Sequence, residues 1–427
     1  MTFSLRRTHI SAWIVPLLYA LAALTLGFTF PRLANNILPG FVSTISVNAA
    51  IGIFSSVASG MITLTGIVFS LTFVMVQFSA TAYSHRLVFL IARDRVISHS
   101  IGVFTATFLY ALAALAWVDR GGSGRVPLAG LLVVVVLLVV SVIMFISLIQ
   151  RIGTLQVNRM LVFTADQGRS TIENLYPPFD TPPSLGSAEL SQSPCIQTLF
   201  HSGRPRIIQE VDISALLEVG RTNGYEIELI ASIGDTLVEA TPILRVFGVG
   251  APVPDAILRA TIKLGRDRTF EQDPKYAIRL LVDIAIKSLS PAVNDPSTAV
   301  QTLDQIEDLL TRLGRRRLEI GAYRDITGDL RLLINFPTWE DFLHLAFDEI
   351  RFYGATSIQV MRRMNALVNE LLSVLSEERR PALSYWQKRL RFTVEFSFSD
   401  YEDKLAAWAE DRQGLGSTRR AKKRSWR

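Results

Sequence analysis

Residues 45–78 read ISVNAAIGIFSSVASGMITLTGIVFSLTFVMVQF, inside a stretch, residues 33–84, that contains no Asp, Glu, Lys or Arg. The spacing of its apolar residues predicts one continuous helix. At about 1.5 Å per residue this helix would run roughly 50 Å, whereas the hydrocarbon core of a bilayer is about 30 Å thick. The stretch therefore predicts a membrane protein whose longest helix exceeds one crossing.

Three other apolar segments, residues 11–30, 101–118 and 126–152, accompany this helix. The first has too long an apolar run for a signal-peptide core and lacks a small-residue cleavage site, so we expect it to be a retained helix. The glycines of residues 119–125 predict a tight reversal between the last two helices. The fold class predicted for residues 1–154 is a multi-pass α-helical membrane domain with four transmembrane helices.

The basic residues beside the spans predict the orientation of the chain. More of them fall on the side that holds the N-terminus, which the positive-inside rule assigns to the cytoplasm. An even number of crossings then places both termini in the cytoplasm. That side carries Arg6, Arg7, Arg86, Arg93, Arg95, Arg151 and Arg159, and the other side carries Arg32, Arg120 and Arg125.

The long helix has a narrow face of small and polar residues. When residues are placed at 100° intervals, this face collects Asn48, Gly52, Ser55, Ser56, Ser59, Thr63, Gly66, Ser70, Gln77 and Thr81. Large apolar residues occupy the other side: Ile53, Phe54, Val57, Met61, Leu64, Val68 and Leu71.

Two interpretations of the small-polar face remain open. Gly52, Ser56 and Gly60 form a small-xxx-small series, which is typical of closely packed membrane helices. Alternatively, the hydroxyls and amides face water and line a pore or cavity. The absence of charge argues against a proton relay or a charged-substrate site here.

The remaining chain has ordinary soluble chemistry and predicts a C-terminal cytoplasmic α+β domain. We expect a linker helix and a small β module over residues 155–254, with an extended and partly mobile Pro-rich linker at 177–183. A mainly helical region should follow over 255–412, and a basic disordered tail over 413–427. Two interpretations of the tail remain open: contact with anionic lipid headgroups, or a plain solvated segment. The single cysteine, Cys195, excludes an intramolecular disulfide.

Residues 289–300 read LSPAVNDPSTAV and predict a capped helix start, with Asp295 as N-cap and Pro296 at the first helical position. The same turn could bind an anion through its helix N-terminus. Candidate residues for this anion site or structural turn are Asn294, Asp295, Ser297 and Thr298. Further along, two interpretations are open for Asp348, Glu349 and Arg351: a functional acidic-basic cluster, or a solvated helix face or interhelical ion pair.

The segments at 289–300 and 342–354 (FLHLAFDEIRFYG) resemble a bacterial family of predicted membrane proteins known only as domain of unknown function 2254. The N-terminal helices and residues 266–273 are also similar to it, so the resemblance covers nearly the whole chain. It implies a multi-pass protein of the bacterial plasma (inner) membrane. It implies no activity that can be assigned residue by residue.

Enzyme chemistry has little support in the sequence. The five histidines are scattered without metal-ligand spacing, and Cys195 has no neighbouring histidine to activate it. We therefore predict no catalytic residues, no metal and no cofactor. The net charge of +6 comes without a basic stripe interleaved with aromatic residues, so we also predict no nucleic-acid partner.

The leading functional hypothesis is a homo-oligomeric channel or transport-like protein. Its second helix would line a central path, and its cytoplasmic domain would form a vestibule or gate. The alternative is a membrane-anchored sensor or scaffold, in which the cytoplasmic domain binds a ligand or partner and the helices only anchor it. In both hypotheses the lipid bilayer is a partner.

Overall fold

A computed structural model of the chain describes residues 14–37, 45–82, 95–116, 118, 128–153, 157–180, 190, 193–412 and 414. The chain divides into two units, residues 1–156 and 157–427. The predicted reversal at 119–125, and all of the predicted tail except Gly414, lie outside the described residues. The described helices of the first unit are α1 (Ile14–Ile37), α2 (Val47–Ala82), α3 (Arg95–Leu115) and α4 (Leu128–Gly153).

Three helices of the described chain are long and apolar enough to cross a bilayer. Their apolar parts are Val47–Val74 in α2, Val96–Leu115 in α3 and Leu128–Gln150 in α4. The described apolar part of α1, Ile14–Phe30, is shorter, and residues 11–13 of the predicted span lie outside the described residues. The described chain thus has three candidate membrane-spanning helices, and the four predicted transmembrane helices are not confirmed.

α3 is the central helix of this unit and packs against α1, α2 and α4. Small residues let its neighbours approach closely. A Cβ atom added at Gly102 would lie 2.7 Å from the Tyr19 ring, and one added at Gly27 would lie 2.6 Å from Cβ of Ala113. A buried hydrogen bond of 2.9 Å between the Thr107 and Ser141 hydroxyls joins α3 to α4. Close backbone approach and interhelical hydrogen bonds are the interactions that hold helices together in lipid.

The boundaries of α2 and α3 differ from the predicted ones. α2 has 36 residues, so it is longer than predicted, at about 54 Å. α3 runs from Arg95 to Leu115, so it begins before the predicted segment at residue 101 and ends before residue 118.

The second unit begins with α5 (Val157–Leu175) and contains two sheets and a layer of helices. Its strands are β1 (Cys195–Phe200), β2 (Arg206–Val211), β3 (Glu226–Leu229), β4 (Thr236–Leu237), β5 (Pro242–Phe247), β6 (Ile262–Gly265), β7 (Ala322–Arg324) and β8 (Leu330–Ile334). Its other α-helices are α6 (Ile213–Asn223), α7 (Asp255–Ala260), α8 (Pro274–Ser288), α9 (Pro296–Gly314), α10 (Trp339–Tyr353), α11 (Ile358–Val374), α12 (Arg380–Ser397) and α13 (Tyr401–Trp408).

One sheet has the strand order β1-β5-β3-β8-β7 and the other has the order β4-β2-β6. β3 and β8 pair in parallel, with Ile227 opposite Leu332, whereas the other strand pairs are antiparallel. The first sheet thus combines strands from both sides of the domain boundary predicted at residue 254. The β module and the helical region share one sheet and belong to one unit.

The helices of the second unit bury apolar faces against one another. α9 packs against α5, α8 and α11. Seven of its apolar residues are fully or almost fully buried: Ala299, Val300, Leu303, Ile306, Leu309, Leu310 and Leu313. α10 starts with a capping box between Thr338 and Asp341, and Gly354 follows its last residue. Periodicity and caps were therefore good guides to these helices.

The described part of the Pro-rich linker is fixed against the second unit rather than mobile. Pro178 forms an isolated antiparallel bridge with Arg316, and the backbone N–H of Phe179 donates to the carbonyl of Arg315 at 3.2 Å. The Arg317 guanidinium lies 5.6 Å from the centroid of the Phe179 ring, within the range of a cation–π contact. Residues 181–183 lie outside the described residues.

Gly168 allows α5 to approach the helices of the second unit. A Cβ atom at this position would lie 2.8 Å from Cβ of Ala277 and 3.1 Å from a methyl carbon of Leu309. A larger residue would push α5 away from α8 and α9. We expect Gly168→Leu to lower the free energy of unfolding by about 1 to 3 kcal/mol, measured as a lower midpoint of thermal unfolding in detergent.

Gly130 in α4 provides the matched control, because a Cβ atom there would meet nothing within 4 Å. Because Gly130 is itself buried, the comparison uses a single added carbon: Gly168→Ala should lower the midpoint, whereas Gly130→Ala should not. Equal midpoints for Gly168→Leu and the parent chain would contradict close packing at α5.

Candidate functional site

The apolar side of α2 is its packing face within the chain. Phe54, Met61 and Val68 are nearly fully buried, and α2 makes its main contacts with α3. Ala50 and Ala58 extend this buried row at helical spacing. Of the residues predicted on this side, Ile53 and Leu71 are instead exposed.

The small-polar face of α2 points away from the other described helices. Added Cβ atoms at Gly52, Gly60 and Gly66 would meet nothing within 4 Å. The exposed residues of this face are Asn48, Gly52, Ser55, Ser56, Ser59, Thr63, Gly66, Ser70 and Gln77, whereas the side chain of Thr81 is outside the description. Among the described residues, this face therefore packs against no other helix of the first unit.

Several hydroxyls of this face have unused hydrogen-bonding capacity. Thr63 donates to the backbone carbonyl of Ser59 at 2.9 Å, a local bond that threonines commonly make in membrane helices. Four serine hydroxyls have no partner among the described residues: Ser55, Ser56, Ser59 and Ser70. Polar groups facing hydrocarbon without a partner are unfavourable. The geometry thus leaves a face suited to water or to a neighbouring polar helix.

The turn before α9 uses its carboxylate internally. Asn294 has a left-handed backbone, with φ of 47°, and its N–H donates to the carbonyl of Ser290 at 2.8 Å. The Asp295 carboxylate accepts from the backbone N–H of Thr298 at 3.1 Å and from its hydroxyl at 2.6 Å. Ser297 is exposed. Because Asp295 occupies the place of an anion at the helix start, the geometry favours the structural turn.

The three charged residues of α10 do not form one cluster. Asp348 accepts from Nδ1 of His344 at 2.9 Å and lies 3.7 Å from a guanidinium nitrogen of Arg389. Glu349 pairs instead with Arg279 of α8. Arg351 donates to the Thr393 hydroxyl at 3.0 Å, and burial followed by the charge of Arg389 lowers the pKa of Arg351. These contacts are the interhelical ion pairs and hydrogen bonds of the second interpretation.

Buried charge lies elsewhere in the second unit, at places that sequence spacing did not reveal. The Arg363 side chain is 5% exposed and contacts Asp304 at 2.8 Å as well as Glu307. Asp273 is 2% exposed and accepts from Arg268 at 2.7 Å. Burial raises the pKa of Asp273, and the charge of Arg268 opposes part of this rise. Residues 266–273 were noted in the sequence only because they resemble the family. That resemblance does not predict the ion pair between Arg268 and Asp273.

No group of three or more His, Cys, Asp or Glu residues that could hold a metal ion occurs in the part of the chain that the structure describes. Cys195 is exposed, and its thiol lies 3.8 Å from the Thr198 hydroxyl. The prediction that the protein is not an enzyme stays a prediction.

Comparison with known proteins identifies relatives over most of the chain. The family described as "Predicted membrane protein (DUF2254)" matches residues 9–370, which confirms the resemblance found in the sequence. Uncharacterized proteins of Mycobacterium tuberculosis and Mycobacterium bovis are 27% identical over 370 residues, which cover 83% of this chain and 70% of each relative. No solved structure matches the chain significantly.

The carboxylate of Asp295 should contribute to stability as an N-cap. We expect Asp295→Ala to lower the free energy of unfolding by about 1 kcal/mol, because the first turn of α9 loses an acceptor. The midpoint of thermal unfolding in detergent measures this loss. Ser297→Ala, at an exposed position of the same turn, should leave the midpoint unchanged. If Asp295→Ala had the same midpoint as the parent chain, the structural-turn interpretation would be contradicted.

Proposed function

We propose that this chain, which belongs to the family of predicted membrane proteins called domain of unknown function 2254, assembles as a homo-oligomeric channel or transport-like protein. In this assembly the small-polar face of α2 lines a central path, and the second unit forms a vestibule or gate. The observation that carries the proposal is the direction of that face, which is exposed while the opposite side of α2 packs on α3.

The proposal accounts for both sides of α2. The buried residues of α2 hold it against α3, so α2 does not use its small-polar face to pack on α3. A face of free hydroxyls and glycines is poorly suited to lipid, whose tails offer no hydrogen bonds. Symmetric copies that place this face around one axis would supply water or polar neighbours to it.

The proposal extends to location. We place the protein in the bacterial plasma (inner) membrane with both termini in the cytoplasm, on the strength of the arginine bias and the three apolar helices. The basic tail then lies on the side where anionic lipids attract it. The absence of a catalytic constellation in the sequence supports a transport-like role over an enzymatic one.

Ion flux through reconstituted liposomes tests the central path. The parent chain should conduct a cation or an anion, and Ser59→Trp or Thr63→Trp should reduce the flux at least tenfold by filling the path. Val136→Trp is the matched control, because Val136 is 60% exposed on α4 and should tolerate a large apolar residue. Absence of flux with every ion tried, or equal flux in all variants, would overturn the channel proposal.

Disulfide cross-linking tests the assembly separately from conduction. After Cys195→Ser, Ser56→Cys and Ser59→Cys should form oxidised dimers in native membranes, because the α2 faces of neighbouring copies converge. A disulfide requires Cα atoms within about 7 Å, so Val136→Cys on α4 should remain monomeric. Equal cross-linking at all three positions would indicate random collision and contradict the assembly.

The competing hypothesis of a membrane-anchored sensor or scaffold gives a different pair of results. In it, the helices only anchor the cytoplasmic domain, which binds a ligand or partner. No ion would then pass, and cross-linking through Ser59→Cys would not be required.

A further inference from the structure

Two helices of the second unit expose large aromatic side chains. Phe392 and Phe396, one turn apart on α12, are 70% and 84% exposed, and their rings stack with centroids 6.3 Å apart. Phe352 and Tyr353, the last residues of α10, are exposed as well, with ring centroids 5.3 Å apart. Isolated exposed apolar residues are common on protein surfaces, whereas a cluster of them usually marks an interaction site.

The four rings form one surface, because α10 and α12 run side by side in the same direction. Asp348 of α10 lies 3.7 Å from a guanidinium nitrogen of Arg389 on α12. One turn further along both helices, Arg351 donates to the Thr393 hydroxyl at 3.0 Å. The exposed rings beside this second contact therefore lie at the same height, and we call them the aromatic patch: Phe352, Tyr353, Phe392 and Phe396.

The start of α5 marks one end of the layer of helices. α5 and α9 run in the same direction, because Arg169 pairs with Asp308 and, one turn further along both helices, Glu173 pairs with Arg312. The start of α5 therefore lies at the same end as the start of α9. The end of α8 lies there too, since a short turn joins it to α9.

α10 points toward this same end. Near its start, Phe342 packs on Tyr176 just after the end of α5, with ring centroids 6.4 Å apart. Further along α10, Glu349 pairs with Arg279 of α8, close to the place where Gly168 of α5 contacts that helix. α10 therefore advances from the end of α5 toward its start. The aromatic patch, on the last turns of α10 and α12, lies at the end of the layer where α5 begins.

The chain itself ties the start of α5 to the membrane. α4, a candidate membrane-spanning helix, ends at Gly153, and α5 begins at Val157. Consecutive Cα atoms are 3.8 Å apart, so four peptide steps span at most about 15 Å. The start of α5 thus stays within that distance of the end of a membrane helix, and lipid headgroups are within reach of the surface at this end.

We propose that the aromatic patch inserts into the interfacial region of the phospholipid bilayer that anchors the chain. Aromatic side chains are favoured at this depth, where rings reach the acyl boundary while the backbone stays at headgroup level. The contact would hold the second unit on the membrane surface by its helical end. This proposal does not depend on whether the protein conducts ions.

Charge near the patch is mixed, so the rings rather than electrostatic attraction supply the contact. The basic residues are Arg351, Lys388, Arg389 and Arg391, and the acidic residues are Asp348, Glu395, Asp400, Glu402 and Asp403. Insertion should therefore occur in bilayers of phosphatidylcholine alone. A strict requirement for an anionic lipid would overturn the aromatic basis of the proposal.

Spin labelling of the full chain in liposomes tests the insertion directly. After Cys195→Ser, a nitroxide attached to Phe396→Cys reports its collisions with oxygen, which concentrates in lipid, and with a water-soluble nickel chelate. The ratio of oxygen to nickel accessibility should be several-fold higher at this position than at two controls. Tyr385→Cys lies on the same face of α12 but about 16 Å further from the end, and Ile326→Cys is 96% exposed between β7 and β8.

Each other result would overturn the proposal. A ratio at Phe396→Cys equal to that of both controls would place the patch in water. A label shielded from both reagents, with spin–spin coupling that disappears when labelled protein is diluted with unlabelled protein, would show that a second copy of the chain covers the patch.

Removing neighbouring rings tests whether they cause the insertion. Phe352→Ser and Phe392→Ser, added to the labelled Phe396→Cys chain, should lower the accessibility ratio toward that of the controls. Both side chains are exposed, so the midpoint of thermal unfolding in detergent should stay nearly unchanged. An unchanged ratio would contradict a role for the rings.

Discussion

The membrane unit depends on the close approach of α3 to its neighbours. Lipid offers helices no hydrophobic driving force to associate, so they must gain contact by shape and by hydrogen bonds. Gly102 accommodates the ring of Tyr19, Gly27 accommodates Ala113, and the Thr107 and Ser141 hydroxyls pair across helices. α1, α2 and α4 each use one side to pack against α3. The opposite side of each helix is not needed for this packing, so its residues can face lipid, water or another copy of the chain.

The outward surface of α2 differs from that of α4. On α4 the exposed residues are large and apolar, such as Val136 and Val139, and they suit lipid. On α2 the exposed residues include a row of glycines and serines, flanked by Ile62 and Ile67. The flanking apolar residues and the polar row lie on one exposed arc, so the helix presents both lipid-compatible and polar surface at once. This combination supports our proposal that the polar row faces other copies of the chain.

The sequence was a sufficient guide wherever local spacing decides the structure. Asp295 acts as the N-cap of α9, with Pro296 at the first helical position, as their places in the sequence predicted. The angular sorting of α2 also separated the face that packs from the face that does not, apart from Ile53 and Leu71 at its margin.

Long-range pairing was not accessible in the same way. Nothing local in residues 330–334 indicates that β8 pairs with β3, about a hundred residues earlier, so the β module and helical region looked separable. α6 was missed because it lies between two strand-like runs, although Asp212 and Gly224 are ordinary helix-cap residues. The buried ion pairs of Arg363 join residues that lie 59 and 56 positions apart, Asp304 and Glu307, and single-sequence spacing cannot bring these together.

The parallel pairing of β3 with β8 also sets an order of events during synthesis. The first sheet cannot close until residue 334 has left the ribosome, whereas the apolar helices emerge first and enter the membrane early. Until then β3 has one uncovered edge, and parallel, long-range pairing is intrinsically slow. The nascent second unit thus spends its most aggregation-prone interval tethered to the bilayer, where anchoring limits its encounters with other incomplete chains.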